Sequence, residues 1–167
     1  VLGAGSGGET TPVTPAAELG RPLRVLVTGD STGLHLAEAL MDHATDVPDQ
    51  LVVGSGAFPG CGLSAGTDGR LHTFTSTDGE LELIDLHGCV GQWDSVPERV
   101  VTEAVDVVLV EIGPWDAVDI HLPDGSVVSV ADPVGRALVR DAYQDFADRV
   151  TAAGARVLWV TPTDTHL

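Results

Sequence analysis

The chain contains no lysine. All eight of its basic residues are arginine, against 25 acidic residues, and the formal charge is -17 at pH 7. Such a surface repels nucleic acid, and no basic stripe or basic-aromatic cluster offsets it. An anionic membrane is disfavoured as a direct partner for the same reason. Without lysine there is no P-loop, which argues against a phosphate or nucleotide binder. No apolar run approaches the ~20 residues that span a bilayer. No signal peptide is visible; the sequence opens in what reads as a linker, so a targeting segment would precede it. Only two cysteines occur, Cys61 and Cys89. Neither has CxxC spacing and no histidine has metal-ligand spacing, so neither a metal nor any other cofactor is expected.

What is present begins with a linker. Residues 1–21 are rich in Gly, Ser, Thr, Pro and Ala without apolar periodicity. Residues 22–167 then alternate strand and helix patterns. Strands are expected at 23–28, 50–53, 106–112 and 156–161, and helices at 31–43, 95–104 and 133–153. Gly154 supplies the last helix with a C-terminal stop. Asp78-Gly79 marks a hairpin between 71–75 and 80–86, and Pro123-Asp124-Gly125 a second turn within 120–130. Four parallel strands with right-handed helical crossovers predict an α/β three-layer sandwich with a flavodoxin-like sheet, order 2-1-3-4. A fifth strand and helix, common in such folds, are expected to lie beyond this chain.

The first strand ends in Gly29-Asp30-Ser31. Ligands of open α/β sheets bind at the carboxyl ends of the strands. A serine there, at a helix N-terminus, meets free N–H groups and the positive dipole end, which favour developing negative charge. Two readings stay open: Ser31 is a nucleophile, or Asp30 and Ser31 simply cap the helix. Two other strand ends are also unusual, Gly54-Ser55-Gly56-Ala57-Phe58-Pro59-Gly60-Cys61-Gly62-Leu63 and Glu111-Ile112-Gly113-Pro114-Trp115-Asp116. In a 2-1-3 order the three ends are neighbours. A serine, a free glycine amide and a third loop on one rim suit acyl transfer with an oxyanion hole. The cysteines are either buried free thiols or a disulfide. Their Gly-rich, loop-like setting favours the disulfide, which implies an oxidising, extracytoplasmic compartment.

These motifs resemble those of the SGNH, or GDSL-like, hydrolases. The resemblance implies Ser31 as nucleophile, with Asp30 beside it in the catalytic turn. Gly60, with Gly62 as fallback, matches the glycine whose N–H helps form the oxyanion hole. Gly113-Pro114-Trp115-Asp116 stands where the family reads Gly-x-Asn-Asp, so Trp115 occupies the usual oxyanion Asn position. Gly113 and Asp116 become candidates for the acyl or sugar site. The Gly-Cys-Gly-Leu loop, Cys89 followed by Trp93, the Gly-Pro-Trp-Asp turn and the upstream linker resemble the extracytoplasmic SGNH domains fused to membrane acyltransferases of the acyltransferase-three family. That resemblance implies O-acylation, with acetyl the expected group, or de-esterification of cell-envelope carbohydrate. It further implies a carbohydrate or acyl-donor partner and a tether through the linker to a membrane acyltransferase domain.

The family takes its general base from Asp-x-x-His after the fifth strand. This chain offers only Asp164-Thr165-His166, with a shorter spacing and after the fourth strand. The base is therefore expected beyond Leu167, with His166 and Asp164 as the lesser candidates. His35 falls one helical turn from Ser31 and projects off the rim. A non-catalytic glycan-binding or accessory module, with Trp93 and Trp115 as stacking platforms, is the alternative reading.

Overall fold

A computed structural model describes residues 19–65, 71–75, 81–85 and 87–161. The chain is α/β. Its central sheet has four parallel strands in the order β2-β1-β5-β8. These are β1 (Leu23–Gly29), β2 (Leu51–Ser55), β5 (Val107–Glu111) and β8 (Arg156–Val160). Counted along the parallel strands alone, that is the expected 2-1-3-4, consistent with a flavodoxin-like sandwich. Among the described residues β8 is an edge of this sheet.

Helices cover the sheet because β1 and β5 are apolar on both faces. Leu26 and Val27, which point to opposite faces, are both fully buried. Helix α1 (Ser31–Asp46) packs on β1 and β2. Helices α2 (His87–Thr102) and α3 (Pro133–Ala152) pack on each other. Leu26, Val108 and Val110 join Trp93, Val96, Phe146 and Val150 in the main core. Gly154, at φ +107°, ends α3 as the sequence suggested.

Two details correct the sequence reading. Helix α2 starts at His87 rather than at residue 95, so Cys89 lies in a helix and not in a loop. Glycines 88 and 91 hide this first stretch from propensity, and tertiary anchors override them. Cys89 is 5% exposed and disulfide-bonded to Cys61, and Trp93 is 6% exposed. Pro97 consequently sits inside α2 rather than in its first turn.

The strands flanking the two expected turns join into something larger, while Asp78 and Gly79 lie outside the described residues. Strands β3 (Leu71–Thr75), β4 (Leu81–Asp85), β6 (Asp119–His121) and β7 (Val127–Val128) form one antiparallel sheet, order β4-β3-β6-β7. One insertion follows β2 and the other follows β5. Both leave from the carboxyl ends of their parent strands, the edge that carries Ser31.

Candidate active site

The site is built where β1 and β5 end together. A Cβ on Gly29, whose φ is +145°, would lie 1.7 Å from the Glu111 carbonyl oxygen, so only glycine fits. Gly33, in the first turn of α1, is pressed on the same carbonyl, which would stand 2.9 Å from a Cβ. The Gly-Asp-Ser turn is thus held flat against the end of β5.

Asp30 fixes this contact. Its side chain is fully buried. Oδ1 accepts the Thr32 N–H at 2.8 Å and the Thr32 hydroxyl at 2.6 Å, capping α1. Oδ2 accepts the Gly113 N–H at 2.7 Å. Ser31 follows as the first residue of α1 and is half-buried. Its hydroxyl makes no hydrogen bond with another described residue.

The Gly-rich loop extends the β1–β2 pairing past the strands. The Gly56 N–H donates to the Val27 carbonyl at 2.7 Å, and the Phe58 N–H to the Gly29 carbonyl at 2.8 Å. Gly60 then turns with φ +80°. A Cβ there would sit 3.8 Å from Cζ2 of Trp115, so the two candidate oxyanion residues adjoin. Trp115 belongs to a short 3-10 turn, Pro114–Asp116.

Asp116 locks this arrangement from behind. It is 7% exposed. Oδ1 accepts from the Ser64 N–H at 2.9 Å and the Ser64 hydroxyl at 2.6 Å. Oδ2 accepts from the Leu63 N–H and the Tyr143 hydroxyl, both at 2.9 Å. Trp93 adds a bond from its indole N–H to the Gly62 carbonyl at 3.1 Å. Burial, reinforced by the charge and hydrogen bond of Asp116, pushes the Tyr143 phenol above its ordinary pKa. It therefore remains a protonated donor across the ordinary pH range.

The structure brings the Gly29–Ser31 turn, the Gly60 loop and the Gly113–Asp116 turn onto one rim. It gives three of the expected residues other surroundings. Asp116 has both oxygens engaged by protein donors, so it braces the loop instead of facing a sugar. The Gly113 N–H is taken by Asp30, so it is not open to an acyl group. Trp93 is buried as a loop anchor and is no stacking platform. Asp30 acts on the turn through hydrogen bonds and does not face solvent. His35 is exposed, 3.4 Å from Glu38, and off the rim. Asp164 and His166 lie outside the described residues. Among those described, no cluster of three or more His, Cys, Asp or Glu side chains is placed to hold a metal.

Sequence reasoning missed Ser64 and Tyr143. Tyr143 is the only tyrosine in the chain and falls three residues before the core Phe146. A lone tyrosine at the border of an apolar stripe is a fair signal of a buried hydroxyl with a partner.

Compared with models of known protein families and with curated proteins, the chain finds no match.

Proposed function

We propose that this chain is an SGNH-type serine O-acyltransferase or esterase domain that acts on cell-envelope carbohydrate. The reading is carried by one observation: Ser31 opens α1 on the rim where Gly60 adjoins Trp115. In the proposed reaction the Ser31 hydroxyl oxygen attacks the acyl carbonyl carbon. Its proton passes to a general base, in this family a histidine, outside the described residues. The Ser31 and Gly60 N–H groups stabilise the tetrahedral oxyanion. Collapse expels the donor alcohol and leaves an acyl-Ser31 ester. A sugar hydroxyl completes transfer, or water completes hydrolysis.

Trp115 takes the place of an asparagine donor in this scheme. Losing one oxyanion donor costs roughly 2.7–4 kcal/mol of transition-state stabilisation. An indole N–H supplies a single donor with a different reach. Asp30 and Asp116 are positioning residues: one fixes the nucleophile turn and the other the Gly60 loop. The Cys61–Cys89 bond fits an oxidising compartment. No helix among the described residues is long and apolar enough to cross a membrane. Attachment to a membrane acyltransferase through residues 1–21 belongs to the same proposal.

Trp115 also favours a second reading, a glycan-binding module in which the indole stacks on sugar. Turnover of an activated acetyl ester by a form of the protein that carries the proposed histidine base separates the two. The catalytic reading requires turnover that Ser31→Ala abolishes, whereas a binding module shows none.

A further inference from the structure

Phe58 is the large apolar side chain that the rim leaves exposed, at 38%. Single exposed apolar residues are ordinary on a surface, but this one is fixed from both sides. Its N–H donates to the Gly29 carbonyl at 2.8 Å, and its carbonyl accepts the Cys61 N–H at 3.3 Å. Cys61 is tied to α2 by the disulfide, and Pro59 stiffens the backbone between them. Ser31 lies two residues beyond Gly29, and Gly60 two residues beyond Phe58. Among the described residues Phe58 has no ring partner, whereas Trp159, the other exposed aromatic, stacks on Tyr143 at a centroid distance of 4.7 Å. The loop thus presents an unpartnered ring beside the proposed nucleophile, and Trp115 adjoins the same loop at Gly60.

The rim's charge is of one sign. Segments 29–33, 56–64 and 111–116 contribute three carboxylates, Asp30, Glu111 and Asp116, and no arginine, lysine or histidine. Burial raises the Tyr143 phenol first, and the charges of Asp116 and Asp30 add to it, so the field of both carboxylates extends past the donors that bind them. Arg99 approaches Gly56 from α2 but is paired with Glu103 at 2.6 Å. Arg136 and Arg140 share a cavity with Asp116 on the α3 side of its turn, and Arg140 is paired with Asp141. An anionic group at Ser31 would therefore meet like charge. The open edge also selects by shape. A pyranose ring carries C–H groups on one face and hydroxyls around its edge. Stacking on an exposed aromatic ring buries the first and leaves the second in water. A long acyl chain on the same edge would stay largely wet.

We infer that Phe58 contacts the substrate, and that it takes the apolar face of an uncharged sugar ring, the ring that carries or receives the acyl group. Its place beside a nucleophile rests on the acyltransfer reading; binding, measured without turnover, does not.

The isotope-labelled Ser31→Ala variant is titrated by nuclear magnetic resonance with three probes: O-acetylated xylotetraose, O-acetylated tetragalacturonate and methyl octanoate. The neutral sugar probe binds saturably, about tenfold tighter than the galacturonate, and shifts the Phe58 and Gly60 amide signals and the Trp115 indole signal. Adding Phe58→Ala weakens its binding about five- to tenfold, the scale of one aromatic contact. Phe58→Trp restores the affinity. Phe58→Leu keeps an apolar side chain without a flat ring; it retains the parent's melting temperature and still binds weakly. Four results would overturn the inference: no saturable binding of the neutral sugar, galacturonate binding as tight, affinity untouched by Phe58→Ala and Phe58→Leu, or methyl octanoate as the only probe whose binding depends on Phe58. Ser31-dependent ester turnover bears on the nucleophile alone, so the two readings fail separately.

Discussion

Asp30 and Gly113 are far apart in sequence, yet Oδ2 of Asp30 accepts the Gly113 N–H at 2.7 Å. The same carboxylate caps α1 through Thr32. One buried side chain thus ties the turn that presents Ser31 to the turn that presents Trp115. The geometry of the rim depends on this link more than on any contact made by Ser31 itself.

Replacing Asp30 with alanine should therefore cost more than a helix cap. It strands the Gly113 N–H and both Thr32 donors. We expect a loss of roughly 2–5 kcal/mol, a cap alone being worth ~1 kcal/mol. Chemical denaturation measures it, and a loss of only ~1 kcal/mol would reduce Asp30 to a cap.

Tyr143→Phe removes one hydrogen bond to Asp116 and keeps the ring stacked on Trp159. A loss of about 1–2 kcal/mol is expected. Asp116→Ala, which strands four donors, should lose clearly more and should also loosen the Gly60 loop. Equal losses for the two variants would contradict the brace described here. Hydrogen exchange at Leu63 and Ser64 reads the loop directly.

Reduction of Cys61–Cys89 opens a closure with a sequence separation of 28. The chain-entropy model gives roughly 3–4 kcal/mol for it. The melting temperature should fall on adding a thiol reductant, and the Cys61→Ala, Cys89→Ala double variant should melt low with or without it. A wild-type transition indifferent to reductant would contradict the bond's contribution.

Asp106 supplies a pH signature. The Arg21 guanidinium, with the Arg24 N–H, outweighs partial burial and holds its carboxyl below the usual carboxylate range. A folded pKa below the unfolded one means that the stabilisation is fully present above the unfolded value of ~3.9 and is lost as pH falls through the folded one. Asp106→Asn should destabilise the protein near neutrality, with the gap to wild type closing below about pH 4. A gap independent of pH would show that charge is not the cause.

Much of the fold was legible in the sequence. β1 and β5 are apolar runs ended by Gly-rich turns, and local pattern suffices to find them and order them. The three segments that carry Ser31, Gly60 and Trp115 were legible from strand-end position, which topology brings together; Gly60 and Trp115 were singled out within them only by the resemblance to the SGNH hydrolases. The start of α2 was hidden because glycines 88 and 91 weaken local propensity, while a disulfide and the burial of Trp93 decide the outcome. The antiparallel sheet was hidden because β3 and β6 belong to separate insertions, and their pairing, Leu71 with His121, is long-range. The Asp116 brace was hidden for the same reason. Whether a carboxylate faces substrate or backbone donors depends on Ser64 and Tyr143, and their distance in sequence says nothing of that.

The central claim is that Ser31 is a nucleophile. Mass spectrometry of a form of the protein that carries the proposed histidine base, after brief incubation with p-nitrophenyl acetate, tests it most directly. The account predicts an acetyl group on the peptide containing Ser31, absent when Ser31 is replaced by alanine. No Ser31-dependent acetylation, with ester turnover absent or unchanged in the alanine variant, would contradict it.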